Sequence, residues 1–243
     1  MKVIKTPKEN KTANPKVYRL HQLDWLEWVA MGVGLWFLFY PKPYEILLIA
    51  LLLLPFVGMF LNGLGKPSIA SLVEIDRTAK NEYDVADFID LPAWAIFVRV
   101  LLDYELDGYM TLLVTGTVAF GLVLLFLFFT HEQIANSNKD KFWIYSSVIF
   151  SIFIYSYSAV VAINCVFDYS KPKVYDTEVI DKHISRGRKG SKHYYVRVKP
   201  WGHHYDAENI SVSSSEYEYY QINDKVNVDY KEGLLGISWY YLD

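Results

Sequence analysis

Hydrophobic positions along this chain fall into four long blocks, and after the last block the pattern changes period. The third block is the most uniformly apolar. From Gly108 to Thr130, around TLLVTGTVAFGLVLLFLFFT at 111–130, 23 residues pass without a charged side chain. As a helix this run is roughly 34 Å long, enough to cross the ~30 Å hydrocarbon core of a bilayer. The first block, WLEWVAMGVGLWFLFY at 25–40, is shorter and starts among the acids Asp24 and Glu27. Its Trp25 and Trp28 at one end and Trp36 and Tyr40 at the other suit the two interfacial belts. Pro41-Lys42-Pro43 then forces a turn, because proline cannot continue a helix. The second block runs from Ile46 to Gly65 with Pro55 inside it, and the fourth from Phe142 to Phe167. Blocks one and two read as one transmembrane hairpin (21–65), blocks three and four as another (111–168).

Between the hairpins, residues 66–110 are mixed. SIASLVEIDRTAK (68–80) reads as a short surface helix. Asp84, Asp87 and Asp90 are three apart and read as one acidic face of a helix. LPAWAIFVRVLLDYEL (91–106) is helical in pattern, capped by Asp90, with Arg99 and Asp103 spaced to pair at i, i+4. Its apolar stretch is too short to span, so it is expected to lie in the interface or re-enter it. Thr117 and Gly121 form a small-xxx-small face for a neighbouring helix.

In the tail, 171–243, the period becomes two. Tyr194, Val196 and Val198 alternate with polar residues, as do Val226, Val228 and Tyr230. One wet and one apolar face per strand predicts a small antiparallel sheet or barrel of the OB or SH3 kind. Residues 185–191 read as a hairpin tip. Ser213 and Glu216 form a capping box that opens a short helix. The predicted fold is an α-helical membrane bundle of four transmembrane helices with this β-domain attached.

Charge sharpens the picture. The net charge is only −3, but residues 1–20 carry six basic groups against one acid. This arm reads as a flexible orientation signal, with no cleavable signal pattern, and no aromatic interleaving suggests nucleic acid. With four spans, an inside N-terminus puts twenty-one Lys and Arg inside and three outside. The expected location is a bacterial inner membrane with both termini cytoplasmic.

Candidate chemistry is sparse. The single cysteine, Cys165, excludes an internal disulfide and a thiolate cluster. No nucleophile elbow, nucleotide loop or acid–base pair stands out, so no enzymatic activity, cofactor or metal is expected. His203-His204 is the most metal-like pair. Adjacent strand residues face opposite ways, however, so the two share an ion only if the segment is a loop. Arg186, Arg188, Lys189 and Lys192 at the hairpin tip are candidate contacts for anionic lipid. Ser147, Ser151 and Ser158 fall on one face of the fourth block. They serve either interhelical packing or the lining of a solute path.

Tyr217, Asp224, Val226, Val228, Gly233, Leu235, Gly236 and Trp239 fit a pattern similar to the C-terminal part of uncharacterised bacterial multi-pass membrane proteins. That family implies no known activity. The layout also resembles NfeD-like proteins, partners of stomatin-type membrane proteins, in architecture and not in motif. The leading expectation is a non-enzymatic protein-interaction or scaffold component, with the bilayer and a protein partner or a second copy as its contacts. A small transporter or channel subunit and a membrane immunity component are the alternatives.

Overall fold

The computed structural model describes residues 23–76, 82–134, 141–187 and 192–243. The basic arm and the tip residues Arg188 and Lys189 lie outside the described residues. Among these are six helices: α1 (Asp24–Phe39), α2 (Tyr44–Gly63), α3 (Asp87–Asp103), α4 (Tyr109–Thr130), α5 (Lys141–Val166) and the short α6 (Ser214–Tyr219). Three of them, α2, α4 and α5, are long and apolar enough to cross a membrane. The 16 residues of α1 and 17 of α3 fall below the usual spanning length of about 20.

α5 is the central rod. Ile144, Val148, Ile152, Tyr155, Ala159, Val161 and Ala162 are all buried along it. α4 is peripheral. Leu113, Val114, Val118, Leu122, Leu125, Phe128 and Phe129 stay exposed on it. So long an apolar face is far more than the surface of a water-soluble monomer carries, and it suits contact with lipid.

Contacts fix the direction of each rod. Tyr44 at the start of α2 donates to Asp103 at the end of α3 (2.9 Å), and Phe88 near the start of α3 fills the space at Gly58. These two helices are therefore antiparallel. A four-residue connection with Phe37 packed edge-on against Tyr44 folds α1 back along α2, and Gly34 of α1 lies against Ala95 of α3, so α1 runs parallel to α3. Phe56 of α2 stacks edge-on against Phe126 of α4, and Gly63 abuts Thr130. Consequently α2 and α4 run the same way and end together. The five long helices alternate between two ends of the bundle. The start of α1 lies at one end, and the end of α5 leads into the β-sheet at the other.

Residues 66–110 differ from the sequence expectation. The stretch at 68–80 is not a surface helix. Ile69–Leu72 form one 3₁₀ turn, then β1 (Val73–Asp76) pairs antiparallel with β2 (Glu82–Val85). The reason is legible afterwards. Val73 and Ile75 alternate as Tyr83 and Val85 do, and the register pairs Val73 with Val85 and Ile75 with Tyr83. Asp84 therefore sits on a strand, and only Asp87 and Asp90 share the helix. The helical pattern read at 91–106 is present within α3. α3 packs lengthwise between α1, α2 and α5, with Phe88, Ile89, Ala93 and Ile96 buried. The Arg99–Asp103 pair does form, at 2.7 Å. The close approach on α4 also differs. Nothing packs on Gly121, whereas a Cβ at Gly116 would fall 2.5 Å from the Tyr157 ring of α5.

The tail folds into a nearly closed antiparallel sheet. Its strands are β4 (Lys173–Arg186), β5 (Lys192–Val198), β6 (Glu208–Val212), β7 (Lys225–Lys231) and β8 (Trp239–Leu242). A sixth strand, β3 (Glu105–Leu106), comes from the segment between α3 and α4. The order is β3-β8-β7-β4-β5-β6. The 14-residue β4 has a register shift between Val179 and Asp181, so one half pairs with β7 and the other with β5. Bulges of this kind bend a strand and let a sheet curl. The two edges meet where the Ser211 amide of β6 donates to Glu105 of β3 (3.2 Å). Val179, Val196, Val198, Trp201, Ile210, Val228 and Tyr240 fill the interior. The capping box at α6 is present, with Ser213 and Glu216 each accepting the other's backbone amide.

Candidate functional site

Polar side chains gather where the bundle meets the sheet. Asn164, fully buried in the last turn of α5, reaches the β7–β8 turn. Its Oδ1 accepts from the Leu235 (2.8 Å) and Ile237 (3.3 Å) amides, and its Nδ2 donates to the Ile237 carbonyl (2.7 Å). Gly233 allows this approach. It has φ of +78°, and a Cβ there would lie 2.4 Å from the Asn164 amide group. One turn on, buried Asp168 accepts from Trp239 Nε1 (3.2 Å), the Gly233 amide (3.1 Å) and the Ser170 amide (2.9 Å). Burial alone would raise its pKa. The hydrogen bonds from Ser170 and Trp239, with the Lys231 ammonium nearby, outweigh burial and hold the carboxyl below its ordinary value. The sheet is thus bolted to the bundle by Asn164, by Asp168 and by β3.

Beside this junction lies a second cluster. The β5–β6 connection begins with a tight turn in which Trp201 and His204 exchange backbone hydrogen bonds (3.1 and 2.8 Å) around Gly202 at φ +53°. The turn brings both imidazoles to one side. His203 Nε2 lies 2.6 Å and His204 Nε2 3.7 Å from Asp107 Oδ2, so one carboxylate oxygen faces two ring nitrogens. Asp107 is held there because its own amide donates to the Ser238 carbonyl (2.9 Å). On the other side of His204, Nδ1 lies 3.0 Å from Glu208 Oε2, while Glu208 Oε1 accepts from the Tyr240 hydroxyl (2.8 Å). The buried Trp201 ring stacks on His204 with centroids 4.3 Å apart. His204 Nε2 is buried and has no hydrogen-bond partner.

At the far end of the bundle, Asn62 Nδ2 contacts both His131 Nε2 (3.2 Å) and Ser71 Oγ (2.9 Å), and Thr130 Oγ1 meets His131 Nδ1 (2.8 Å). Burial pushes the His131 pKa down to about 4, so the ring is neutral and serves as packing.

The three serines singled out in the sequence have separate partners. Ser147 donates to the Tyr83 carbonyl (3.4 Å), Ser151 to Asp90 Oδ1 (2.8 Å), and Ser158 back to Ile154 of its own helix (2.7 Å). Of the basic tip residues, Arg186 and Lys192 are exposed and face each other across the β4–β5 pair. Lys192, with Leu102, Asp103 and His193, lines a groove of about 410 Å³ between the end of α3 and the sheet. No protein-family model, curated protein or solved structure matches this chain. Sequence reasoning singled out His203 and His204 but missed Asp107 and Glu208. Asp107 is 96 residues from His203, and no local pattern links them.

Proposed function

We propose that this chain is a multi-pass membrane protein that crosses the bilayer five times. In this reading it holds its β-domain as a fixed, non-enzymatic interaction platform on the side opposite the N-terminal arm. One observation carries the topology: α2 and α4 run in the same direction and end together. If both cross the membrane, the chain between them must cross back, and α3 is the described helix that lies lengthwise there. Short helices such as α1 and α3 fit by local thinning of the bilayer, at a modest cost of fractions of a kcal/mol per Å. Both polar ends of α3 fit an edge position, with Asp87 and Asp90 at one and the Arg99–Asp103 pair at the other.

Charge then sets the orientation differently from the four-span expectation. The short segments at the far end, together with the arm, contain eleven Lys and Arg including Lys141. Those at the sheet end contain Lys42 alone. The positive-inside rule, which weighs short segments most, puts the arm in the cytoplasm of a bacterial cell and the sheet across the membrane from it. The platform role draws support from the bolted junction, which leaves the sheet no slack, and from the exposed Tyr205 and Tyr219 it presents. The NfeD-like layout is retained only as an analogy for partner binding.

Single cysteines in a Cys165→Ser background test the topology. An impermeant maleimide is expected to label Lys42→Cys and Tyr205→Cys in intact cells, and Asn10→Cys only after permeabilisation. Labelling of Asn10→Cys and Tyr205→Cys from the same side would defeat the five-span reading. For the platform role, photo-crosslinkers at Tyr205 and Tyr219 in native membranes should yield discrete protein adducts that crosslinkers at Val118 do not. Equal yields, or none from the sheet, would remove the role.

A further inference from the structure

We propose that Asp107, His203 and His204 form a binding site for a first-row divalent metal ion, with Zn²⁺ the best fit. This goes beyond the platform reading and does not depend on the number of crossings. The three ligand atoms already lie within 4.8 Å of one another. A tetrahedral ion with bonds of about 2.0–2.1 Å sets its ligands roughly 3.3 Å apart. The Asp107–His203 distance of 2.6 Å must open slightly and the Asp107–His204 distance of 3.7 Å must close slightly. These two changes are about 0.7 and 0.4 Å, and the two ring nitrogens, within 4.8 Å of each other, close by side-chain rotation to the same ~3.3 Å spacing.

The surroundings are those of a ligand set. Metal-bound imidazoles commonly face a carboxylate with their second nitrogen, which fixes the tautomer and strengthens the ligand. Glu208 Oε2 stands 3.0 Å from His204 Nδ1, close to that position though not aligned as a hydrogen bond, and the Tyr240 hydroxyl holds Glu208 through its other oxygen. His204 Nε2, the ring nitrogen on the Asp107 side, is buried and lacks a hydrogen-bond partner, so it is free to bind an ion. The Trp201 stack and the Gly202 turn fix both rings without the ion. The objection that adjacent strand residues diverge does not apply, because His203 and His204 sit in this turn and not in a strand. Two imidazoles and one carboxylate favour Zn²⁺ and its neighbours over Mg²⁺ or Ca²⁺, which take oxygen ligands. His203 is half-exposed, so the fourth position opens to solvent and accepts a water. Asp107 belongs to the segment entering α4, and the histidines to the sheet. The ion would therefore clasp the sheet to the bundle.

The full chain in detergent, stripped with a chelator, is titrated with Zn²⁺ and with Co²⁺, whose visible absorption reports tetrahedral geometry. One ion per chain and a tetrahedral Co²⁺ spectrum are expected, with no competition from Mg²⁺ or Ca²⁺. His204→Gln and His203→Gln should weaken binding at least a hundredfold, and Glu208→Gln about tenfold or more. His183→Ala and His193→Ala, in the same sheet, should bind as the parent does. Circular dichroism confirms that each variant is folded. Binding unchanged in His203→Gln and His204→Gln, or lost in His183→Ala, overturns the proposal, as does an octahedral Co²⁺ spectrum displaced by Mg²⁺.

Discussion

Replacing Asn164 with alanine should unbolt the sheet from the bundle. The side chain serves the Leu235 amide, the Ile237 amide and the Ile237 carbonyl. Removing it leaves these three groups facing a buried cavity. An unsatisfied buried polar group costs about 1–3 kcal/mol, and water entering beside the turn relieves part of that. The lower part of the range gives a loss of about 3 kcal/mol, roughly a hundredfold in the docked-to-undocked ratio. Hydrogen exchange on the full chain in detergent reads this directly. The amides of Leu235 and Ile237 should exchange about a hundredfold faster in Asn164→Ala, following that ~3 kcal/mol. Amides in the middle of β5, Tyr195 and Val196, should be little changed. Asn164→Leu restores the volume without the hydrogen bonds, and it should be as damaging as alanine. A change of less than about threefold at Leu235 and Ile237, or full rescue by leucine, would refute the assignment of Asn164 as a hydrogen-bonding bolt.

Two further outcomes follow from the same junction. Gly233→Ala forces a side chain into a left-handed backbone at φ +78° and against the Asn164 amide. It should cost at least ~1–2 kcal/mol from the backbone alone, visible as a lower melting temperature in detergent, whereas a melt identical to the parent would contradict the fit. Asp168 supplies a pH dependence. Its folded pKa is depressed, so its stabilisation is full above the unfolded value of about 3.9 and is lost as pH falls through the lower folded value. The stability gap between the parent and Asp168→Asn should therefore be constant above about pH 5 and shrink toward pH 3. A gap as large at pH 3 as at pH 7 would sink the argument.

Features encoded over a few residues were legible in the sequence. The four charge-free or nearly charge-free blocks appear as α1, α2, α4 and α5, with ends within a few residues of those read from the pattern. The alternation around Val196 and Val228 appears as strands with those residues buried. The capping box at Ser213 and the Arg99–Asp103 pair are interactions between neighbours in the chain, so spacing alone revealed them. The β1–β2 hairpin was misread because four-residue strands give too few positions to separate period two from a helical turn.

By itself the sequence determined which segments are long apolar rods and that the tail is built of strands. Those properties depend on each segment's own solvation and backbone preferences. Only the tertiary structure decided that α3 lies lengthwise among the rods, that Glu105–Leu106 joins the sheet, and that Asp107 faces His203 and His204. The physical reason is that each of these is a contact between segments distant in sequence. Such contacts are set by how several faces pack at once, and a single segment's hydrophobic pattern is compatible with many such packings.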